Sequence, residues 1–78
     1  GFVMKKVNNK KVLVIGGSGF MGSHTADELS NKGYQVSILD CVTSPYLRSD
    51  QEMIVGDIFD KKQLERAMSD VNIVFEKK

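Results

Sequence analysis

The sequence predicts an α/β fold: a doubly wound parallel sheet with strand order 3-2-1-4, truncated after its fourth strand. Three observations carry this. Short apolar runs alternate with amphipathic stretches along the whole chain, the pattern of strands joined by crossover helices. The first run, Val12, Leu13, Val14 and Ile15, is apolar at every position, as a strand covered on both faces must be. A turn rich in glycine, beginning at Gly16, joins that run directly to the first amphipathic stretch.

The first strand is expected over Lys11–Ile15. A helix follows over residues 19–31, with Met21, Ala26 and Leu29 at near-helical spacing, and Asn31-Lys32-Gly33 gives it a basic last turn and a C′ glycine. A second strand spans 35–39 through Val36, Ile38 and Leu39, with Asp40 at its end. Residues 41–51 hold the only proline, Pro45, and read as a loop or a poorly formed short helix. A third strand covers 52–55 and ends at Gly56-Asp57. Asp60 is the expected N-cap of the second helix, with Gln63 in capping-box position and Leu64, Ala67 and Met68 as its apolar stripe. A fourth strand is expected over 70–75 through Val71, Ile73, Val74 and Phe75. Right-handed crossovers give the order 3-2-1-4, and the reversal between the third and fourth strands opens a crevice beside the carboxyl ends of the first and fourth.

Composition narrows the function classes. At 78 residues there is room for one small domain, read as an N-terminal tail over 1–10 and a folded part over 11–78. Eleven basic residues against ten acidic ones leave a net charge of +1, without the positive footprint of a nucleic-acid binder. The basic residues at the ends read as solvated. Met4-Lys5-Lys6 reads as a natural start preceded by Gly1, Phe2 and Val3. No apolar run approaches the roughly 20 residues of a membrane helix, and no h-region of a signal peptide follows the first lysines. One cysteine, Cys41, excludes an internal disulfide, no Cys/His cluster offers a zinc site, and a reducing, cytoplasmic setting is expected.

Gly16, Gly19 and Gly22 have the spacing Gly-x-x-Gly-x-x-Gly between a predicted strand and a predicted helix. One such glycine permits a tight turn, a second lets the backbone approach a pyrophosphate with no Cβ in the way, and a third lets the helix pack closely on the sheet. The helix N-terminus then directs unpaired N–H groups at the phosphates. Asp40, about 20 residues further on, can accept hydrogen bonds from a ribose diol and repels a 2′-phosphate, which favours NAD over NADP. Arg48, in the next loop, is a cation that could reach the ribose from another side. A phosphate loop of the GxxxxGK[ST] kind shares the spacing of Gly17 and Gly22, but Ser23-His24 stands where Lys and Ser or Thr are required. His24, with no second ligand or nucleophile near it, reads as structural or solvated, and the Cys41 thiol as a small packing group.

The segment from Val12 to His24, VLVIGGSGFMGSH, closely resembles the opening of the extended short-chain dehydrogenases/reductases, the NAD-dependent sugar epimerase/dehydratase family. A second segment agrees: Val55-Gly56-Asp57-Ile58 is similar to the family's adenine-binding stretch after the third strand. The resemblance runs from about Lys11 to Phe75 and implies the first part of a Rossmann domain. It further implies that Phe20 and Met21 give backbone N–H groups to the pyrophosphate, that Asp40 and Cys41 lie along the adenosine ribose, and that Asp57 meets the adenine amino group while the Ile58 backbone meets the ring. Two residues depart from the family pattern, Ile15 where threonine is usual and Cys41 where asparagine is frequent.

The family's catalysis, by this resemblance, uses a Tyr-x-x-x-Lys pair as general acid and base. Here Ile38 follows Tyr34 by four and Asp50 follows Tyr46 by four, so neither tyrosine fits, and no catalytic residue is assigned. The expectation is an N-terminal fragment of a sugar-nucleotide epimerase or dehydratase, able to bind the dinucleotide and catalytically incomplete. The other readings are a freestanding NAD-binding regulatory module and a self-associating structural fragment without ligand. The free edge of the fourth strand, with Val71, Ile73, Val74 and Phe75, is expected to pair with another chain.

Overall fold

The computed structural model of the chain describes residues 10–76. The expected tail at 1–10 and the start at Met4 fall, but for Lys10, outside the described residues, as do Lys77 and Lys78. The elements run β1 (Lys11–Ile15), α1 (Phe20–Asn31), β2 (Gln35–Asp40), β3 (Gln51–Val55), α2 (Lys61–Met68) and β4 (Ile73–Glu76). The strands form one parallel sheet in the order β3-β2-β1-β4, the expected doubly wound arrangement.

β1 lies inside the sheet, with Val12 opposite both Val36 of β2 and Ile73 of β4. Its alternating side chains enter two separate cores, which is why the run is apolar at every position. Val12 and Val14 join Ala26, Val36 and Ile38 beneath α1; Leu13 and Ile15 join Leu39 on the opposite face, beneath α2. The α1 face is tightly built because the helix turns Gly22, Ser23 and Ala26 toward the sheet. The α2 face is thinner. No residue of α2 is fully buried, and Leu64, Ala67, Ile54, Ile58 and Val71 only partly cover Leu13, Ile15 and Leu39.

Both helix boundaries follow local chemistry. α1 ends in a Schellman motif: Gly33 at φ 96° lets its N–H reach Ser30 O at 3.0 Å and the Tyr34 N–H reach Leu29 O at 3.2 Å. Lys32 is the C-cap itself, so the expected basic last turn falls just past the helix. At α2, Asp60 Oδ1 accepts from the N–H groups of Lys62 (3.0 Å) and Gln63 (3.1 Å). The return contact differs from a standard capping box, since Gln63 Oε1 accepts from the Asp57 N–H at 2.8 Å.

The fourth strand begins at Ile73, three residues later than expected. Asp70 takes the left-handed conformation, φ 66°, and the Val71 N–H bonds back to Met68 O at 3.1 Å, so these residues turn the chain out of α2. Asn72 then clamps the start of β1, its N–H donating to Lys11 O at 2.9 Å and its Oδ1 accepting from the Lys11 N–H at 3.0 Å. The segment after β2 carries no helix. It is tied to the far half of α1 by Arg48, which donates to Asn31 Oδ1 (2.9 Å), and by Gln51, which donates to Asp27 Oδ1 (2.9 Å) and Ser30 Oγ (3.1 Å). No helix among the described residues is long and apolar enough to cross a membrane.

The two cores predict contrasting mutational costs. Leu13 is wholly inaccessible, and Leu13→Ala should cost about 2–5 kcal/mol in urea unfolding, enough to unfold much of so small a domain. Phe59 is 89% exposed, and Phe59→Ala should change stability by no more than about 0.5 kcal/mol.

Candidate functional site

The predicted site residues gather at the carboxyl ends of β1, β2 and β3. Gly16 leaves β1 with φ 78°, a left-handed conformation that glycine adopts without strain, and its N–H donates to Leu39 O of β2 at 2.8 Å. The adjacent carbonyl, Asp40 O, accepts the Gly56 N–H from the end of β3 at 2.9 Å. Those two bonds bring the glycine turn, the Asp40-Cys41 pair and the Gly56-Asp57 turn side by side.

Inside the turn the glycines do different work. A Cβ at Gly22 would lie 2.5 Å from the Gly17 Cα, so the third glycine is what lets α1 seat against the turn. A Cβ at Gly17 would lie 2.7 Å from Val14 Cγ1, a requirement that the Gly-x-x-Gly-x-x-Gly spacing does not encode. Gly19 has neither constraint. Its φ is −81°, and a Cβ there would meet nothing within 4 Å.

Gly19 is the N-cap of α1 and makes no side-chain cap. The first backbone bond of the helix is Ser23 N–H to Gly19 O at 2.9 Å, so the N–H groups of Phe20, Met21 and Gly22 meet no acceptor among the described residues. The side chains of Phe20 and Met21 point outward, 58% and 62% exposed. His24 stacks edge-on to Phe20 at 4.6 Å between ring centroids, and the Tyr46 ring also meets Phe20 edge-on at 5.8 Å. Ser23 is turned inward, its hydroxyl donating to Phe20 O at 2.6 Å.

Asp40 binds the glycine turn directly. Its Oδ2 accepts the Ser18 hydroxyl at 2.6 Å and the Ser18 N–H at 3.2 Å, while Oδ1 accepts the Cys41 N–H at 2.7 Å. Partial burial pushes the carboxyl pKa up, but the bonds from Ser18 and Cys41 outweigh it and hold the group below its usual 3.8. The brace these bonds provide is therefore in force above pH 3.8 and is lost as pH falls through the lowered value. Ser18, buried and bonded to a residue 22 positions away, is the member that sequence spacing did not reveal. A serine inside a glycine turn has ordinary turn chemistry, and only the fold shows which carboxylate it meets.

Arg48 does not reach toward Asp40. Its guanidinium pairs with Asp50 at 2.8 Å and donates to α1 instead. Cys41 is a free, exposed thiol rather than a packing group. Asp57 is exposed; its Oδ1 accepts the Phe59 N–H at 2.8 Å, and its second carboxylate oxygen has no partner among the described residues. Ile58 sends its side chain into the α2-side core. At the reversal of strand order, Val14, Gly22, Thr25, Phe75 and Glu76 line a groove between β1, α1 and β4. The described residues contain no cluster of metal-binding side chains.

Comparison with known proteins gives a consistent result. Residues 12–76 match the NAD dependent epimerase/dehydratase family. Over 75 residues the chain is 35% identical to human sterol-4-alpha-carboxylate 3-dehydrogenase, decarboxylating, covering 92% of this chain and 20% of that protein. It is 43% identical over 74 residues to the UDP-glucose 4-epimerase of Neisseria meningitidis serogroup B, covering 82% and 22%. Among solved structures, the Thermus thermophilus UDP-glucose 4-epimerase complex with NAD superposes with a TM-score of 0.77 at 30% identity, covering 87% of this chain and 24% of that one. The chain thus spans about a fifth of the length of the curated relatives it matches.

The glycines should separate in mutagenesis. Gly22→Ala, driven against the Gly17 backbone, should cost about 1–3 kcal/mol in chemical unfolding. Gly19→Ala should cost about 1 kcal/mol or less, the ordinary price of a poorer N-cap.

Proposed function

This chain belongs to the NAD dependent epimerase/dehydratase family, and we propose that residues 11–78 form the N-terminal part of an NAD-binding Rossmann domain. It would serve an oxidoreductase of the sugar-nucleotide epimerase/dehydratase type. The observation that carries this reading is Gly19. The fold needs no glycine there, since φ is ordinary and the space beside it is open, whereas a dinucleotide phosphate lying against the backbone does need one. The N–H groups of the first turn of α1, which meet no acceptor among the described residues, lie beside it.

In this reading Gly16 shapes the turn, Gly22 seats the helix, and Phe20 and Met21 supply N–H groups to the pyrophosphate. Asp40 and Cys41 lie along the adenosine ribose, where the carboxylate disfavours the 2′-phosphate of NADP. The free oxygen of Asp57 receives the adenine amino group, and the Ile58 backbone borders the ring. NAD, when bound, would supply the hydride acceptor. The relatives support assigning this stretch to cofactor rather than substrate, because an epimerase and a decarboxylating dehydrogenase, with different reactions, both match it. Neither Tyr34 nor Tyr46 has a lysine four residues on, so the chain is read as catalytically incomplete by itself. The free, exposed thiol of Cys41 fits a cytoplasmic setting, and the near-neutral charge fits a partner that is neither nucleic acid nor membrane.

Calorimetric titration of the 78-residue chain should show binding of NAD, weaker binding of NADP, and a loss of roughly tenfold or more in NAD affinity in Gly19→Val, with its circular dichroism retained. A folded chain that ignores NAD would favour the structural fragment without ligand.

A second reading concerns assembly. Among the described residues β4 pairs only with β1, and Val74 and Phe75 on it are about 40% exposed, which supports pairing of its outer edge with a second copy of the chain. Sedimentation velocity should show a concentration-dependent dimer that Val74→Lys abolishes; a monomer at every concentration would overturn it.

A further inference from the structure

Asp40 has fewer free acceptor positions than the proposed ribose contact would use. A carboxylate offers about four lone-pair directions, two on each oxygen. Ser18 fills both on Oδ2, with its hydroxyl at 2.6 Å and its N–H at 3.2 Å, and the Cys41 N–H takes one on Oδ1 at 2.7 Å. A ribose diol brings two O–H donors to the one position left. The Ser18 hydroxyl is also the shortest contact that the carboxylate makes, and Ser18 is itself buried, so the carboxylate is held by a group with little room to move.

We propose that Ser18 is a positioning residue: it locks Oδ2 of Asp40 to the glycine turn, presents Oδ1 alone to the adenosine ribose, and so sets the preference for a free 2′-hydroxyl over a 2′-phosphate. This rests on the NAD-binding reading above. The physical basis is orientation. A carboxylate free to rotate can swing its charge away from a phosphate and admit it, whereas one clamped by two donors cannot, and the repulsion is then paid in full. The same clamp couples the turn that would hold the pyrophosphate to the residue that would hold the ribose, across a sequence separation of 22 residues. The lowered pKa of Asp40 accords with this geometry. After desolvation, which opposes it, the Ser18 hydroxyl is the leading cause, and the other causes are the Ser18 N–H and Cys41, with no charged side chain contributing.

The test uses the whole chain and its Ser18→Ala, Ser18→Thr, Asp40→Asn and Ser18→Ala/Asp40→Asn variants. In the ligand-free protein, carboxyl-detected NMR should show the Asp40 titration moving to higher pH in Ser18→Ala and returning toward the parent value in Ser18→Thr. Calorimetry with NAD and with NADP should show the ratio of their affinities falling about tenfold in Ser18→Ala, the loss expected of one charge-assisted bond. With Asp40 already changed to Asn, removing the Ser18 hydroxyl should leave that ratio unaltered, which a merely structural role for Ser18 would not produce. An unmoved Asp40 titration, or an unchanged ratio in Ser18→Ala while NAD binding persists, overturns the inference and leaves the NAD-binding reading standing. Failure of the parent chain to bind either dinucleotide overturns the NAD-binding reading and the selectivity claim with it, while the ligand-free titration still decides whether Ser18 holds Asp40.

Discussion

The end of β2 is the point on which the rest of the site depends, because two successive carbonyls there reach in opposite directions across the sheet. Leu39 O holds the Gly16 N–H and Asp40 O holds the Gly56 N–H, so one dipeptide stitches the turns that follow β1 and β3. The Asp40 side chain adds a third stitch through Ser18. Each backbone bond contributes only about 0.5–1.5 kcal/mol net, and a bond to the charged carboxylate somewhat more. Their value lies in placement: two segments far apart in sequence, the turns after β1 and β3, end within hydrogen-bond reach of one strand end. β2 can hold this position because Val36, Ile38 and Leu39 anchor it in both cores.

The glycine turn shows how one motif combines architectural and recognition demands. Gly16 answers a backbone demand, a positive φ. Gly17 and Gly22 answer packing demands, against Val14 and against each other. Gly19, beyond its place as the N-cap of α1, answers neither a backbone nor a packing demand, and a Cβ there would meet nothing within 4 Å. That contrast gives the nucleotide reading more weight than the spacing alone, since a turn that existed only to connect β1 to α1 would have no use for a bare backbone at its outermost point.

The two faces of the sheet are unequal in cover. α1 lies close through Gly22, Ser23 and Ala26, and the loop after β2 is tied to its far half by Arg48 and Gln51. α2 buries no residue completely. Its capping aspartate and Gln63 nevertheless shape the turn at Asp57, so this loosely packed helix still orients one corner of the candidate site. Among the described residues the most exposed large apolar side chains, Phe59 and Met21, flank these site turns rather than the centre of either core.

The sequence by itself determined the class of fold, the order of the strands, the place of the glycine turn and the acidic strand end. Each of these follows from local periodicity, turn chemistry and the handedness of parallel crossovers. It misplaced the start of β4 because Asp70 takes a left-handed turn and Asn72 is committed to Lys11, choices that apolar content alone does not signal. It left open whether Arg48 could approach the ribose, and in the fold that side chain is engaged by Asn31 and Asp50. Only the tertiary structure decided that Ser18 meets Asp40, that Gly17 as well as Gly22 is hemmed in by packing, and that Gly19 opens onto space. The reason is common to all three: what surrounds a side chain, or a missing one, depends on which distant segments the sheet brings together, and spacing along one segment carries no record of that.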